Sequence, residues 1–161
     1  GQPKEVFAIM NYAVDDNERP IFYKKVVETV VHEFCHSFIK IKGDTEKALE
    51  KSGKALQEYT YFSMRRQAYS TWRNILEESL VRAATICYLI DHDYDEKDIR
   101  NAIIEQVDRN FFWMPELVQT LRYYESHRKK YPTFTSFYPE IIRFFDRYVT
   151  NMEKEMKKAM K

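Results

Sequence analysis

The sequence predicts a single, predominantly helical α+β domain with one small β-element. Three observations support this prediction. Apolar residues recur at intervals of three and four along most of the chain, which is the spacing that places them on one face of a helix. Only three glycines occur among the 161 residues, so few tight turns interrupt the regular elements. One short stretch near the N-terminus instead has the composition of a strand.

The predicted strand spans residues 5–12, with the sequence Glu-Val-Phe-Ala-Ile-Met-Asn-Tyr, and it stops at a polar turn over residues 15–18. The helix that follows is predicted over residues 21–41, because its apolar positions fall on one face and Gly43 ends the pattern. The stretch 70–90 is apolar on more than one side, so we expect it to lie at the centre of the fold. Further helices are predicted over residues 45–68, 96–108, 115–129 and 138–160. The first of these is predicted to be interrupted at Gly53, and the last follows a loop over 131–138 that Pro132 and Pro139 bound.

Composition excludes several classes of partner. Lysine and arginine together number 26 against 25 acidic residues, so overall charge gives no reason to expect binding to nucleic acid or to an anionic membrane surface. No apolar run reaches the roughly 18 residues that a membrane span needs. A length of 161 residues fits one domain, residues 1–161. The abrupt start at Gly1 leads us to expect that this domain was excised from a longer protein.

Cys35 and Cys87 are too few for a disulfide framework and are expected to be small buried thiols. They do not fix the compartment. We expect an extracytoplasmic location, periplasmic or secreted, with the targeting segment outside this chain.

The stretch Val-Val-His-Glu-Phe-Cys-His-Ser-Phe, residues 30–38, predicts a metal site. His32 and His36 are four residues apart and therefore lie on one helix face, where both imidazoles can bind a single Zn²⁺. Glu33 lies one step around the helix, from where its carboxylate can reach a zinc-bound water and act as general base. The competing interpretation is that two histidines fell at helical spacing by chance.

A catalytic zinc needs a third protein ligand, and an acidic residue in the apolar helix 70–90 is the best candidate. A buried charge there costs several kcal/mol unless it is paired or bound to a metal. We favour Glu78, because Arg82 one turn later could hold its carboxylate. Glu77, with Arg73 one turn before it, remains the alternative. For either residue, a solvated helix charge is the simpler explanation.

Hydrolysis of a peptide also benefits from a donor to the developing oxyanion. The segment Arg-Tyr-Tyr-Glu-Ser-His-Arg-Lys-Lys-Tyr, residues 122–131, offers Tyr124 and His127 on one helix face, and we predict these two as catalytic candidates. The competing interpretation is that the tyrosines pack in the core while the basic residues stabilise a helix C-terminus.

These motifs resemble the zincin metallopeptidases of the glutamate-ligand type, the gluzincins, and more closely the bacterial DUF4932 family. The resemblance rests on the motif at 30–38, on Glu-Glu-Ser-Leu-Val-Arg-Ala at 77–83 and on the segment 123–141, and it covers residues 5 to 146. It implies a zincin-like fold in which the strand at 5–12 lies beside the active-site helix. It also implies His32 and His36 as ligands, Glu33 as base and Glu78 as third ligand.

The sequence departs from two patterns of the larger class, since it lacks both the metzincin histidine extension and the Asn-Glu-x-x-Ser-Asp signature. Substrate and subfamily therefore stay open. The sequence predicts a zinc-dependent metallopeptidase acting on a peptide or protein substrate. The alternatives are a non-catalytic zincin-like binding module of a larger surface or secreted protein and a helical interaction domain without metal.

Overall fold

The computed structural model describes residues 13–160, and this part of the chain is built from helices. No strand occurs within it, and its one isolated β-bridge pairs Val14 with Pro20 in antiparallel orientation. The predicted helical class is confirmed, whereas the small β-element is not seen, and the strand predicted at 5–12 lies outside the described residues. The helices of this part are α1 (Lys24–Phe38), α2 (Asp44–Tyr59), α3 (Tyr61–Arg66), α4 (Trp72–Asp91), α5 (Glu96–Asp108), α6 (Met114–Ser126) and α7 (Phe134–Ala159).

Helix α4 forms the centre of the domain, as its apolar sequence predicts. It packs against α1, α2, α5 and α6. Its N-terminus is capped by Thr71, whose hydroxyl oxygen accepts the backbone N–H of Asn74 at 3.2 Å. Leu76 and Leu80 are fully buried, and each such side chain contributes about 1.5–3 kcal/mol by leaving water. None of the described helices combines the length and apolar character needed to cross a membrane.

Helix α1 is shorter than the predicted span of 21–41, because its C-terminal end is pulled into the core. At Ile39 the backbone becomes extended, with φ −94° and ψ 105°. Ile39 and Ile41 are then buried against the other helices. The backbone N–H of Ile41 donates to Oε1 of Glu77 at 2.7 Å, which ties this end of α1 to α4.

Helix α2 runs through Gly53, so the predicted interruption there is wrong. The break in the predicted stretch 45–68 instead falls at Thr60, between α2 and α3. Gly53 is needed for a close approach between helices: a Cβ atom at this position would lie 2.5 Å from a ring carbon of Trp72 and 3.2 Å from a methyl carbon of Leu76. The absence of a side chain at Gly53 therefore allows α2 to pack closely against Trp72 and does not break the helix.

Replacing Gly53 by alanine should destabilise the protein by about 1–3 kcal/mol, because the added methyl group overpacks the contact between α2 and Trp72. At an exposed helix position the same change would stabilise by up to about 1 kcal/mol, so the sign is diagnostic. Urea unfolding measures the difference, with Lys51→Ala on the exposed face of α2 as control. A Gly53→Ala variant as stable as the wild type would contradict the packing described here.

Helix α7 begins earlier than the prolines predict. It starts at Phe134, and Thr133 and Ser136 form a reciprocal capping box at its N-terminus. Pro139 lies inside the helix just after its first turn, so the predicted loop over 131–138 is wrong in its second half. Pro139 removes only one backbone donor so close to the helix start, and the cap together with buried Phe137 and Ile141 outweighs this loss.

Candidate metal centre

The two histidines of the sequence motif share one face of α1 and point toward α4. The ring centroids of His32 and His36 are 5.0 Å apart, with the ring planes at 81°. This edge-to-face arrangement leaves the Nε2 atom of each ring directed at the same carboxylate on α4. The spacing of four residues thus produces the pair of neighbouring imidazoles that the sequence predicts.

Glu78 of α4 supplies that carboxylate. Its Oε1 lies 3.4 Å from Nε2 of His32, and its Oε2 lies 3.5 Å from Nε2 of His36. The residue is only 6% exposed. One ligand atom from each of the three residues lies within 4.8 Å of the others, so the group could hold a metal ion.

Burial favours the form of histidine that binds metal. Desolvation lowers the pKa of His32 below its ordinary value, and the opposing attraction of Glu78 is the smaller effect. A lowered pKa favours the neutral form of the His32 imidazole. A neutral imidazole nitrogen and an ionised carboxylate oxygen are the donor forms that zinc accepts.

Arg82 pairs with the Glu78 carboxylate, as the spacing of one helical turn predicts, and it contacts the same oxygen that His32 faces. Its Nε lies 2.8 Å from Oε1 of Glu78. The two terminal nitrogens of the guanidinium donate to Oε1 of Gln106, at 2.6 Å, and to the hydroxyl of Tyr69, at 3.0 Å. Sequence reasoning missed Tyr69 and Gln106, because they come from distant segments that only the fold brings to Arg82.

Glu77, the alternative third ligand, is placed elsewhere. Its carboxylate accepts the backbone N–H of Ile41 and does not belong to the group of ligand atoms. The expected partner of Glu77, Arg73, instead forms an ion pair with Glu46 on α2. The structure thus brings Glu78, and not Glu77, to the two histidines.

Glu33 lies on α1 beside His32 and is exposed to solvent. Its assignment as general base stays a prediction. Two apolar residues of the motif face the solvent. Phe34 and Phe38 are 44% and 76% exposed, whereas Val26, at 7% exposed, is the most buried residue of α1. The helix therefore buries the side that faces α4 and leaves its other side open in the described part of the chain.

Tyr124 and His127 are not brought into the group of His32, His36 and Glu78. Tyr124 is 8% exposed, packs against Phe134 and Phe137, and lines an apolar cavity of about 180 Å³. His127 follows the C-terminus of α6, and its ring lies 3.9 Å from that of Tyr123. Their proposed part in catalysis stays a prediction without a geometric link to the histidine pair.

A groove of about 210 Å³ opens beside His32, between α1, α4 and α5. An ion pair crosses this groove, since Nζ of Lys25 on α1 lies 3.6 Å from Oε2 of Glu105 on α5. The other carboxylate oxygen of Glu105, Oε1, lies 2.9 Å from a terminal nitrogen of Arg109. Arg82 also lines this groove. A groove lined by charged side chains therefore reaches His32 from the solvent.

Comparison with protein families shows what the chain is similar to. The family described as "Domain of unknown function (DUF4932)" matches residues 4–144, most of the chain. Neither the curated proteins nor the solved structures contain a significant match.

Proposed function

The chain belongs to the DUF4932 family, and from the geometry of its own site we propose that it is a zinc-dependent metallopeptidase. The observation that carries the proposal is the convergence of His32, His36 and Glu78. Two histidines and one glutamate are a known donor set for catalytic zinc. The resemblance to gluzincins supports the same assignment.

The distances between the donor atoms fit zinc. Four ligands at 2.0–2.1 Å in a tetrahedron are separated from one another by about 3.3 Å. The contacts of Glu78 with His32 and His36, at 3.4 and 3.5 Å, are close to that value, although each histidine faces a different carboxylate oxygen and the three donor atoms as a group lie within 4.8 Å of one another. Three protein donors, counted over residues 13–160, leave one coordination position for water or substrate, whereas structural zinc sites use four protein ligands. The residues therefore fit a catalytic ion better than a structural one.

Zinc, when bound, polarises a carbonyl and lowers the pKa of water toward 7. The remaining chemistry belongs to the chain. Glu33, one step around α1 from His32, would accept the proton of the attacking water and pass it to the leaving amine. Its exposure to solvent suits this role, since water and substrate must reach its carboxylate. The groove between α1, α4 and α5 gives solvent access to His32, one of the three donors.

The proposal is tested by hydrolysis of a mixed peptide library, with new N-termini identified by mass spectrometry. We expect cleavage by the zinc-loaded protein, loss of cleavage with a chelator, and recovery when zinc is restored. His36→Gln should abolish cleavage, whereas His92→Gln should not, because the His92 ring stacks on Tyr88 outside the donor group. Zinc binding without any cleavage would instead favour the non-catalytic binding module. Absence of zinc binding would leave a helical interaction domain.

A further inference from the structure

Arg82 is held by more groups than an ion pair with Glu78 requires. Its guanidinium lies 5.2 Å from the centre of the Phe111 ring, while its terminal nitrogens donate to Gln106 and Tyr69. The Arg82 side chain is only 14% exposed. The planar guanidinium is thus fixed by an aromatic face and by two hydrogen bonds, which leaves Nε beside Glu78.

We propose that Tyr69 and Gln106 are positioning residues of the metal centre, which act on Glu78 through Arg82. This inference rests on the proposed zinc site. Tyr69 lies between α3 and α4, and Gln106 lies on α5, so each joins a different segment of the chain to the carboxylate. Outer partners of this kind orient a ligand and raise metal affinity in general.

Both partners are themselves held in place. The Gln106 side chain is buried and also donates to the backbone carbonyl of Ala102 at 3.3 Å, which fixes the direction of its oxygen. The Tyr69 ring packs edge-on against Phe111, with centroids 5.9 Å apart. The two terminal nitrogens of Arg82 therefore meet acceptors that are themselves held in place. This keeps Nε of Arg82 at 2.8 Å from Oε1 of Glu78, an ion pair without hydrogen-bond geometry.

A positioning role and an electrostatic role predict opposite effects on zinc affinity. The positive charge of Arg82 opposes cation binding, so removing that charge would strengthen binding if electrostatics dominated. Losing the orientation of Glu78 would weaken binding. Variants in which the positive charge of Arg82 is retained distinguish the two effects. Tyr69→Phe and Gln106→Leu each remove one acceptor from Arg82 without any change in charge, and Arg82→Lys keeps the charge but loses the fork.

The experiment measures zinc affinity by competition with a chromophoric chelator, on variants shown by circular dichroism to be folded. We expect Arg82→Lys to weaken binding about 10- to 100-fold, the range for outer partners of metal ligands. Tyr69→Phe and Gln106→Leu should each weaken it by at least about threefold, because each leaves one hydrogen bond to Arg82 intact. The matched control is Tyr131→Phe, which removes the hydroxyl of a buried tyrosine bonded to Glu140 at 2.7 Å.

The outcomes separate the inference from the proposed function. If the wild type binds zinc and both Tyr69→Phe and Gln106→Leu bind it as tightly as Tyr131→Phe does, the positioning role is overturned while the zinc site stands. Loss of unfolding stability with unchanged zinc affinity would equally overturn it, since the contacts would then be structural only. If the wild type itself binds no zinc, the proposed function fails and the inference fails with it.

Discussion

Replacing Glu33 by glutamine is expected to lower the rate of peptide hydrolysis by about 10²- to 10⁴-fold, the usual contribution of a general base. The glutamine amide has nearly the same shape but cannot accept the proton of the attacking water. Zinc content should stay at the wild-type level, because Glu33 lies outside the group of donor atoms. The measurement combines the rate of peptide cleavage with elemental analysis of the same preparation.

The matched control for this prediction is Glu50→Gln. Glu50 lies on α2, pairs with Lys54 at 2.7 Å and is exposed, so this change should leave the rate unchanged. A Glu33→Gln variant that retains most of its activity would place the general base elsewhere. A variant that loses its zinc as well would show that Glu33 helps to hold the ion, and the division of roles on α1 would then be wrong.

Glu78→Gln is expected to weaken zinc binding by more than about 100-fold, beyond the 10- to 100-fold effect of outer partners. The substitution removes the only charged donor of the group and leaves the positive charge of Arg82 beside the site. The apo protein should also lose stability, because Arg82 is mostly buried and would have no counter-ion. Zinc affinity is measured by the same chelator competition, at a temperature where the variant is folded.

Glu77→Gln is an adjacent and chemically identical control for Glu78→Gln. Its side-chain oxygen can still accept the backbone N–H of Ile41, so we expect a stability cost of only about 1 kcal/mol and unchanged zinc affinity. Equal losses of affinity in the two variants would contradict the arrangement of α4 against α1. A larger loss in Glu77→Gln would make Glu77 the ligand, the alternative that the sequence leaves open.

The donor group of His32, His36 and Glu78 was predictable from the sequence because each choice depends on residues within one helix. The spacing of His32 and His36 follows from helix geometry, and an acid within an apolar helix needs a partner. The choice between Glu77 and Glu78 was less certain, and it depends on how α1 crosses α4. The structure distinguishes the two residues in the extended chain after α1, where the carboxylate of Glu77 accepts the backbone N–H of Ile41.

The features that sequence reasoning missed are long-range. Tyr69 and Gln106 reach Arg82 from 13 and 24 residues away, and no periodic pattern marks such a contact. The sequence pattern at Gly53 predicts a helix break, because the close approach of Trp72 is visible only in the packed structure. Pro139 predicts a helix boundary, although the capping box at Thr133 starts the helix before it. At Gly53 tertiary packing outweighs local propensity, whereas at Pro139 a local capping box acts together with the buried residues Phe137 and Ile141.

The most direct test is anomalous X-ray scattering at the zinc edge from crystals of the zinc-loaded protein. We predict an anomalous peak between α1 and α4, about 2.0–2.2 Å from Nε2 of His32, Nε2 of His36 and a carboxylate oxygen of Glu78. A crystal that shows no peak at these three residues, or that shows zinc only at other side chains, would contradict the assignment of this group as a zinc centre.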